Sequence, residues 1–265
     1  MYPMKNLSRG LAAAALVLGL CVQLQAGNVL IINGASATSE PGTTSAITTN
    51  LQTLHIAAGN TVTIADAVPA SFAGYGQVWD IRFNPAITGG EQTQYVNFLA
   101  AGGGMFVMGE NSGFMTRNNS VLALISAAGG GNLAFDSNIL SQQTVMAPFT
   151  GPNLVTQVNY AAPGGVGVND TGTGDFITKD VNNRGTGLAF SVGDLANAPA
   201  GALTVIFDVN FMMNQYDIPN SQNLTKNLIG FVGDQVDPGN RVPDAGSTFA
   251  MMIGSLLFLA YFRRK

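Results

Sequence analysis

Residues 28–33, NVLIIN, form a short run of branched apolar side chains that stops at Gly34. Such a run, too short for a buried helix and unbroken by polar residues, predicts a strand covered on both faces. The stretch 43–60, TTSAITTNLQTLHIAAGN, changes to helical spacing and meets Gly59 where a helix would close. Two further strand-like runs follow, TVTIAD (61–66) and QVWDIRF (77–83). In EQTQYVNFLAAGGG (91–104), Tyr95, Phe98 and Leu99 fall on one helical face, and the chain then enters the apolar run MFVMGE (105–110). NSVLALISAAGGG (119–131) and NLAF (132–135) repeat that step from helix through glycine to strand. Near the end, GALTVIFDVN (201–210) predicts a strand and NSQNLTKNLIGFVG (220–233) a helix with Leu224, Leu228, Ile229 and Val232 on one side. Strands separated by helices imply an α/β fold, with a parallel sheet, right-handed crossovers and helices on both faces.

The two ends follow different rules. Lys5 and Arg9 precede the apolar run 11–22, and Leu-Gln-Ala precedes Gly27, the three parts of a secretory signal peptide cleaved after Ala26. The apolar run is about 12 residues, short of the ~20 that a spanning helix needs. Cys21 follows Leu20, whereas a lipoprotein signal requires a small residue there. At the other end, residues 245–262 carry no charge and, as a helix rising ~1.5 Å per residue, would extend about 27 Å, close to the ~30 Å hydrocarbon core. Arg263, Arg264 and Lys265 follow directly and place that end on the cytoplasmic side of the membrane. The chain thus divides into a signal peptide (1–26), an α/β body (27–233), a polar linker (234–241) and a C-terminal signal with a transmembrane helix (242–265).

Composition agrees with export. Charged residues make up 10 % of the chain, against about 25 % in ordinary soluble domains. Between residues 27 and 243 there are six lysines and arginines and fourteen acidic residues, so no basic patch exists to neutralise nucleic-acid phosphates. The single cysteine leaves with the signal peptide. The mature chain therefore has no disulfide, no thiolate nucleophile and no cysteine-ligated metal.

The tail carries a specific resemblance. Val242, Pro243, Asp244, Gly246, Ser247 and Thr248, the apolar helix and the terminal basic cluster resemble the VPDSG-type sorting domain, a relative of the PEP-CTERM signals read by exosortases. Ala245 stands where serine is more usual. The resemblance implies a Gram-negative protein held in the inner membrane by its tail. An exosortase-like sorting enzyme would then pass it to the cell surface or the extracellular matrix, where polysaccharide is a candidate partner.

The body resembles the class I glutamine amidotransferase-like fold, a flavodoxin-like sandwich, in YVNFLAAGGGMFVMGENSG (95–113) and in GALTVIFDVNFMMN with NLIGFV near the end. Active members of that fold place a cysteine at the elbow after this strand and a histidine after a later one. Here Asn111 stands at the elbow between Gly109 and Gly113, and no histidine follows His55. No thiolate–imidazole pair can form, which excludes amidotransferase chemistry.

Other chemistry has fewer candidates. Glu110 and Asp208 fall at the carboxyl ends of strands, where open α/β sheets bind ligands. Asn111, Ser112, Arg117 and Asn210 would line the same crevice. A carboxylate pair of this kind would suit a glycan hydrolase, the alternative to a non-catalytic binding or structural domain. Ser112 has no recognisable base, and His55 reads as a helix-surface or packed residue. Both Ala-Ala-Gly-Gly-Gly runs lie after a helix and before a strand, the reverse of a phosphate cradle, and so predict helix C-caps. The Asp- and Asn-rich segment 165–187 reads as a solvated loop or insertion. As a calcium loop it would put Arg184 where an oxygen ligand belongs. No metal or other cofactor is called for.

Overall fold

The computed structural model describes residues 27–236. Nine strands form one sheet: β1 (Asn28–Ile32), β2 (Thr61–Ala65), β3 (Gln77–Asp80), β4 (Gly104–Met108), β6 (Gln142–Val145), β7 (Gln157–Asn159), β9 (Asp175–Lys179), β10 (Gly187–Phe190) and β11 (Ala202–Ile206). Two short strands, β5 (Phe135–Asp136) and β8 (Gly165–Val166), pair with each other beside it. Four helices complete the described residues: α1 (Pro41–Ala57), α2 (Gly89–Ala100), α3 (Met115–Ala128) and α4 (Asn220–Val236).

Strand order is β2-β1-β3-β4-β11-β10-β9-β6-β7. The first five are parallel, as the spacing of the sequence requires. In β1, Val29 and Ile31 face one side while Leu30 and Ile32 face the other, because side chains alternate along a strand. One face packs against Ile47 and Leu51 of α1 and Leu224 and Leu228 of α4. The opposite face packs against Tyr95 and Leu99 of α2 and Val121 and Ile125 of α3. With both faces covered, no polar alternation survives in β1 and β4, whereas the edge strand β2 keeps exposed Thr61 and Thr63.

The helices stop where their glycines stand. Gly59, Gly102 and Gly129 have φ of +86°, +93° and +91°, the left-handed conformation that closes a helix. Both Ala-Ala-Gly-Gly-Gly runs are therefore caps. At its start, α2 carries a capping box: Thr88 accepts from the Glu91 amide, and the Glu91 carboxylate accepts from the Thr88 amide at 2.7 Å.

The sheet departs from the flavodoxin-like expectation beyond β11. There β10, β9, β6 and β7 run antiparallel, so the sheet is mixed rather than parallel throughout. Strands of three to five residues joined by Asp- and Asn-containing turns need no crossover helix. The NLAF run does not enter the main sheet: only Phe135 and Asp136 pair, and with β8. Segment 165–187, expected as a loop, contains β8 and β9. QVWDIRF ends as a strand at Asp80, whose carboxylate accepts from the Arg82 amide at 3.1 Å and turns the chain. Helix α4 continues three residues past 233.

Among the described residues no helix is long and apolar enough to cross a membrane. The signal peptide, residues 237–241 of the linker, the sorting motif Val242–Thr248, the apolar span and the Arg263–Lys265 cluster lie outside the described residues.

Candidate functional site

β4 and β11 are parallel neighbours with Met108 opposite Ile206. Glu110 and Asp208 each lie two residues further on, at the carboxyl edge, as their positions in the sequence suggest. Both are buried. Asp208 accepts from the Asn210 amide at 2.9 Å and, through its other oxygen, from the Ala162 amide at 3.0 Å. It thereby caps the short 3-10 turn Val209–Met212. Glu110 accepts from the Val209 amide with one oxygen and from the Asn111 side-chain amide with the other. These carboxylates tie the ends of two strands to the turns that follow.

Burial pushes the Glu110 carboxyl up to about 7, and the nearby Asp208 adds to this against the amides of Asn111 and Val209. Burial also raises Asp208, opposed by the amides of Ala162 and Asn210. A glutamic acid titrating near neutrality is what a general acid requires, but access is missing. Residues 160–164 cross this edge, with the Gly164 amide donating to the Phe207 carbonyl at 2.8 Å. A Cβ on Gly164 would stand 2.6 Å from the Glu110 carbonyl oxygen, so this loop lies directly on the strand end. Neither carboxylate presents an open face to a glycosidic oxygen.

The elbow has an equally structural explanation. Asn111 occupies ordinary extended backbone (φ −63°, ψ −179°), without the strain of a nucleophile elbow. Its side chain accepts from the Gly113 amide at 2.8 Å and starts the 3-10 turn Ser112–Phe114. Gly109 is required because a Cβ there would meet the Phe207 ring at 2.2 Å. Asn118 fixes the turn from α3, accepting from the Glu110 amide and donating to the Asn111 carbonyl at 2.9 Å. Ser112 is exposed and next to no base. Asn210 directs its side-chain amide to the Met213 sulfur at 3.4 Å.

Arg117 does not line this crevice. Its side chain is wholly buried and points the other way, donating from Nε to the Met108 carbonyl at 2.9 Å and placing its guanidinium 3.2 Å from Asp80. Asp80 also accepts from Arg82 at 2.8 Å and from the Tyr95 hydroxyl at 2.8 Å, while Arg82 reaches Glu91 at 2.8 Å. Burial works against the Asp80 charge, but Arg117 and Arg82 outweigh it and hold the carboxyl down at about 2. Five residues, Asp80, Arg82, Glu91, Tyr95 and Arg117, thus form a buried ionic cluster that the sequence pattern did not assemble. Its one visible sign was the Asp and Arg inside QVWDIRF.

His55 is fully buried rather than on the helix surface. It stands edge to face with Trp79 at 4.7 Å between ring centroids, and Asn60 lies 3.1 Å from its Nδ1. Burial drives it down to about 3, so it is neutral and takes no part at the carboxyl edge. In the segment 165–187, Asp180, four residues before Arg184, has its oxygens on the amides of Asn182, Arg184 and Leu140 at 2.7, 3.1 and 3.2 Å. Among the described residues no group of three or more His, Cys, Asp or Glu side chains is placed to hold a metal ion.

Comparison with known proteins adds an address and a fold. Residues 241–265 match the family model described as the VPDSG-CTERM motif, so the chain carries a sorting signal of that type. No curated protein matches the chain. Among solved structures, the body is similar to the exo-β-1,4-mannosidase Op5Man5 from Opitutaceae bacterium strain TAV5, at 11 % identity and TM-score 0.50, over 80 % of this chain and 36 % of that one. The chain thus spans about a third of the mannosidase's length. It is also similar to the mmIFT52 N-terminal domain, at 14 % identity and TM-score 0.54, over 77 % and 96 % of the two chains. A thua-like protein from Bacteroides uniformis ATCC 8492 aligns at 16 % identity and TM-score 0.48, over 78 % and 92 %. At these identities the likeness concerns the fold alone.

Proposed function

We propose that the chain is an exported protein whose body is a non-catalytic binding or structural module. Its C-terminal motif delivers it to an exosortase-like sorting enzyme at the inner membrane, and from there to the cell surface or extracellular matrix. The observation that carries the address is the VPDSG-CTERM match over 241–265. Support for a non-catalytic body comes from Glu110 and Asp208, whose oxygens are taken by backbone and side-chain amides beneath the loop 160–164. An amidotransferase-like origin for the parallel half belongs to the same reading and rests on the helix–glycine–strand–elbow run alone. None of the structures compared above is named as an amidotransferase.

Mass spectrometry of the native C-terminus, in membrane and released fractions, tests the address. The expected result is a terminus near Val242–Asp244 in surface or released material. A terminus still ending in Arg264–Lys265 in every fraction would mean a permanently tethered domain and would remove the sorting reading. The alternative is a carboxylate-dependent glycan hydrolase. Glycan turnover by the native protein, lost in both Glu110→Gln and Asp208→Asn, would replace the module with that enzyme.

A further inference from the structure

The amino-terminal edge of the sheet, opposite Glu110 and Asp208, holds a groove of about 560 Å³. Gly76 and Gly103, one residue before β3 and β4, form part of its floor, and Val236 at the end of α4 closes one side. Its walls are the loop 70–75 and the last turns of α2. The volume lies within the ~300–1,000 Å³ of small-ligand clefts.

Three features of the lining define what would fit. No lining residue is charged, although acidic side chains predominate in the body as a whole. An uncharged ligand meets no desolvated charge there, whereas an anionic polymer would meet the repulsion of the acidic body. Aromatic surface comes from Tyr75 and Phe98, both half-buried, and polar groups flank it. Among the described residues neither the Tyr75 hydroxyl nor the exposed Asn97 amide has a hydrogen-bond partner. Apolar ring faces bordered by free neutral donors and acceptors complement a sugar, which has C–H faces and a rim of hydroxyls.

The walls are also held in place. The Tyr75 amide donates to the Phe72 carbonyl at 3.1 Å, the Gly76 amide to Asn28 at 3.0 Å, and the Asn28 side chain to Gly74 at 3.0 Å. Gln94 is fixed by its bond to the Pro69 carbonyl at 2.8 Å. Little loop ordering would therefore accompany binding.

We infer that this groove binds a short segment of an uncharged polysaccharide, with Tyr75 as the stacking platform and Asn97 bonding ring hydroxyls. The inference rests on the surface reading above for its setting and names the ligand class. Titration calorimetry of the purified native protein with cellohexaose, mannohexaose and chitohexaose, and with a heparin-derived hexasaccharide as anionic control, tests it. At least one neutral hexasaccharide should bind, about tenfold more weakly after Tyr75→Ala and several-fold more weakly after Asn97→Ala. An Asn119→Ala control in the first turns of α3, exposed and toward the opposite, carboxyl edge of the sheet, should bind unchanged, and all variants should melt as the parent does. No neutral binding, binding of the anionic control alone, or neutral binding indifferent to both groove substitutions would each overturn it. Binding that appears only after residues 237–265 are removed would assign the groove to the chain's own linker and overturn it too. Binding by a chain that keeps its Arg-Arg-Lys end would support the groove while removing the sorting reading; a sorted chain that binds none of the neutral probes would do the opposite.

Discussion

The two halves of the sheet bury polar groups in different ways. In the parallel half, the carboxyl end of β3 carries Asp80, encased by Arg82, Arg117, Tyr95 and, at the margin, Glu91. In the antiparallel half the buried cluster is neutral. Gln143 accepts from Thr178 at 2.8 Å and from the Thr186 amide at 3.2 Å, donates to the Thr186 hydroxyl at 2.6 Å, and Tyr160 lies 3.0 Å from the Thr178 hydroxyl. The ionic cluster balances two guanidiniums against two carboxylates, so removing one member leaves a charge with no solvent to receive it. Removing a member of the neutral cluster leaves only unmade hydrogen bonds. Equal burial therefore predicts unequal fragility.

Asp80→Asn tests the larger side of that inequality. It leaves Arg82 and Arg117 together in the interior and should cost about 3–5 kcal/mol, read by denaturant unfolding of the purified protein. Gln143→Leu, which keeps volume but strands Thr178 and the Thr186 amide, should cost about 1–3 kcal/mol by the same measurement. If Gln143→Leu proved the more damaging, the distinction between the halves would fail.

A smaller test uses pH. Glu110 is raised from 4.5 to about 7, so its contribution is complete below 4.5 and is lost as pH rises through 7. His55 is lowered from 6.5 to about 3, so its contribution is complete above 6.5 and is lost as pH falls toward 3. Between 4.5 and 6.5 the two slopes oppose each other, each at most about 1.4 kcal/mol per pH unit. Across that window the two should largely offset each other, while the raised Asp208 adds a fall in stability with rising pH. Relative to the parent, Glu110→Gln should tilt the profile toward lower stability at the acid side, and His55→Gln toward lower stability at the alkaline side. Parallel shifts without a change of slope would mean that neither group titrates as its burial requires.

Much of the parallel half was legible because its elements announce themselves locally. NVLIIN gave β1, and Gly59 and the two glycine runs marked the ends of helices that the left-handed φ values confirm. Glu110 and Asp208 were placed correctly at strand ends, since a strand's end follows from its pattern. What those carboxylates do was not legible, because the amide that occupies Asp208 belongs to Ala162, 46 residues away. Arg117 was misplaced for a similar reason: Val121 and Leu124, four and seven residues on, put it on the buried face of α3, but its partner Asp80 comes from a strand some 37 residues earlier. Residues 135–190 were the least readable. Their strands are two to five residues long, and hairpin pairing depends on register, which alternation over such lengths does not fix.

Gly27 opens β1 and Val236 closes α4 at the same edge of the sheet, where a Cβ on Gly104 would meet Val236 Cγ1 at 2.6 Å. Any pull transmitted along the tail therefore enters the body at the last turn of α4. It loads a helix lying on the sheet before it loads a strand pair, so the first event under tension is the peeling of α4 from its Val236 end, one turn at a time, starting with Val236 lifting away from β4. The central strands, clamped by their neighbours, bear that load last. The mechanical limit of the body under such a pull is thus set by Val232, Leu228 and Leu224 along one helix face, and lengthening that apolar seam would raise it without changing the sheet.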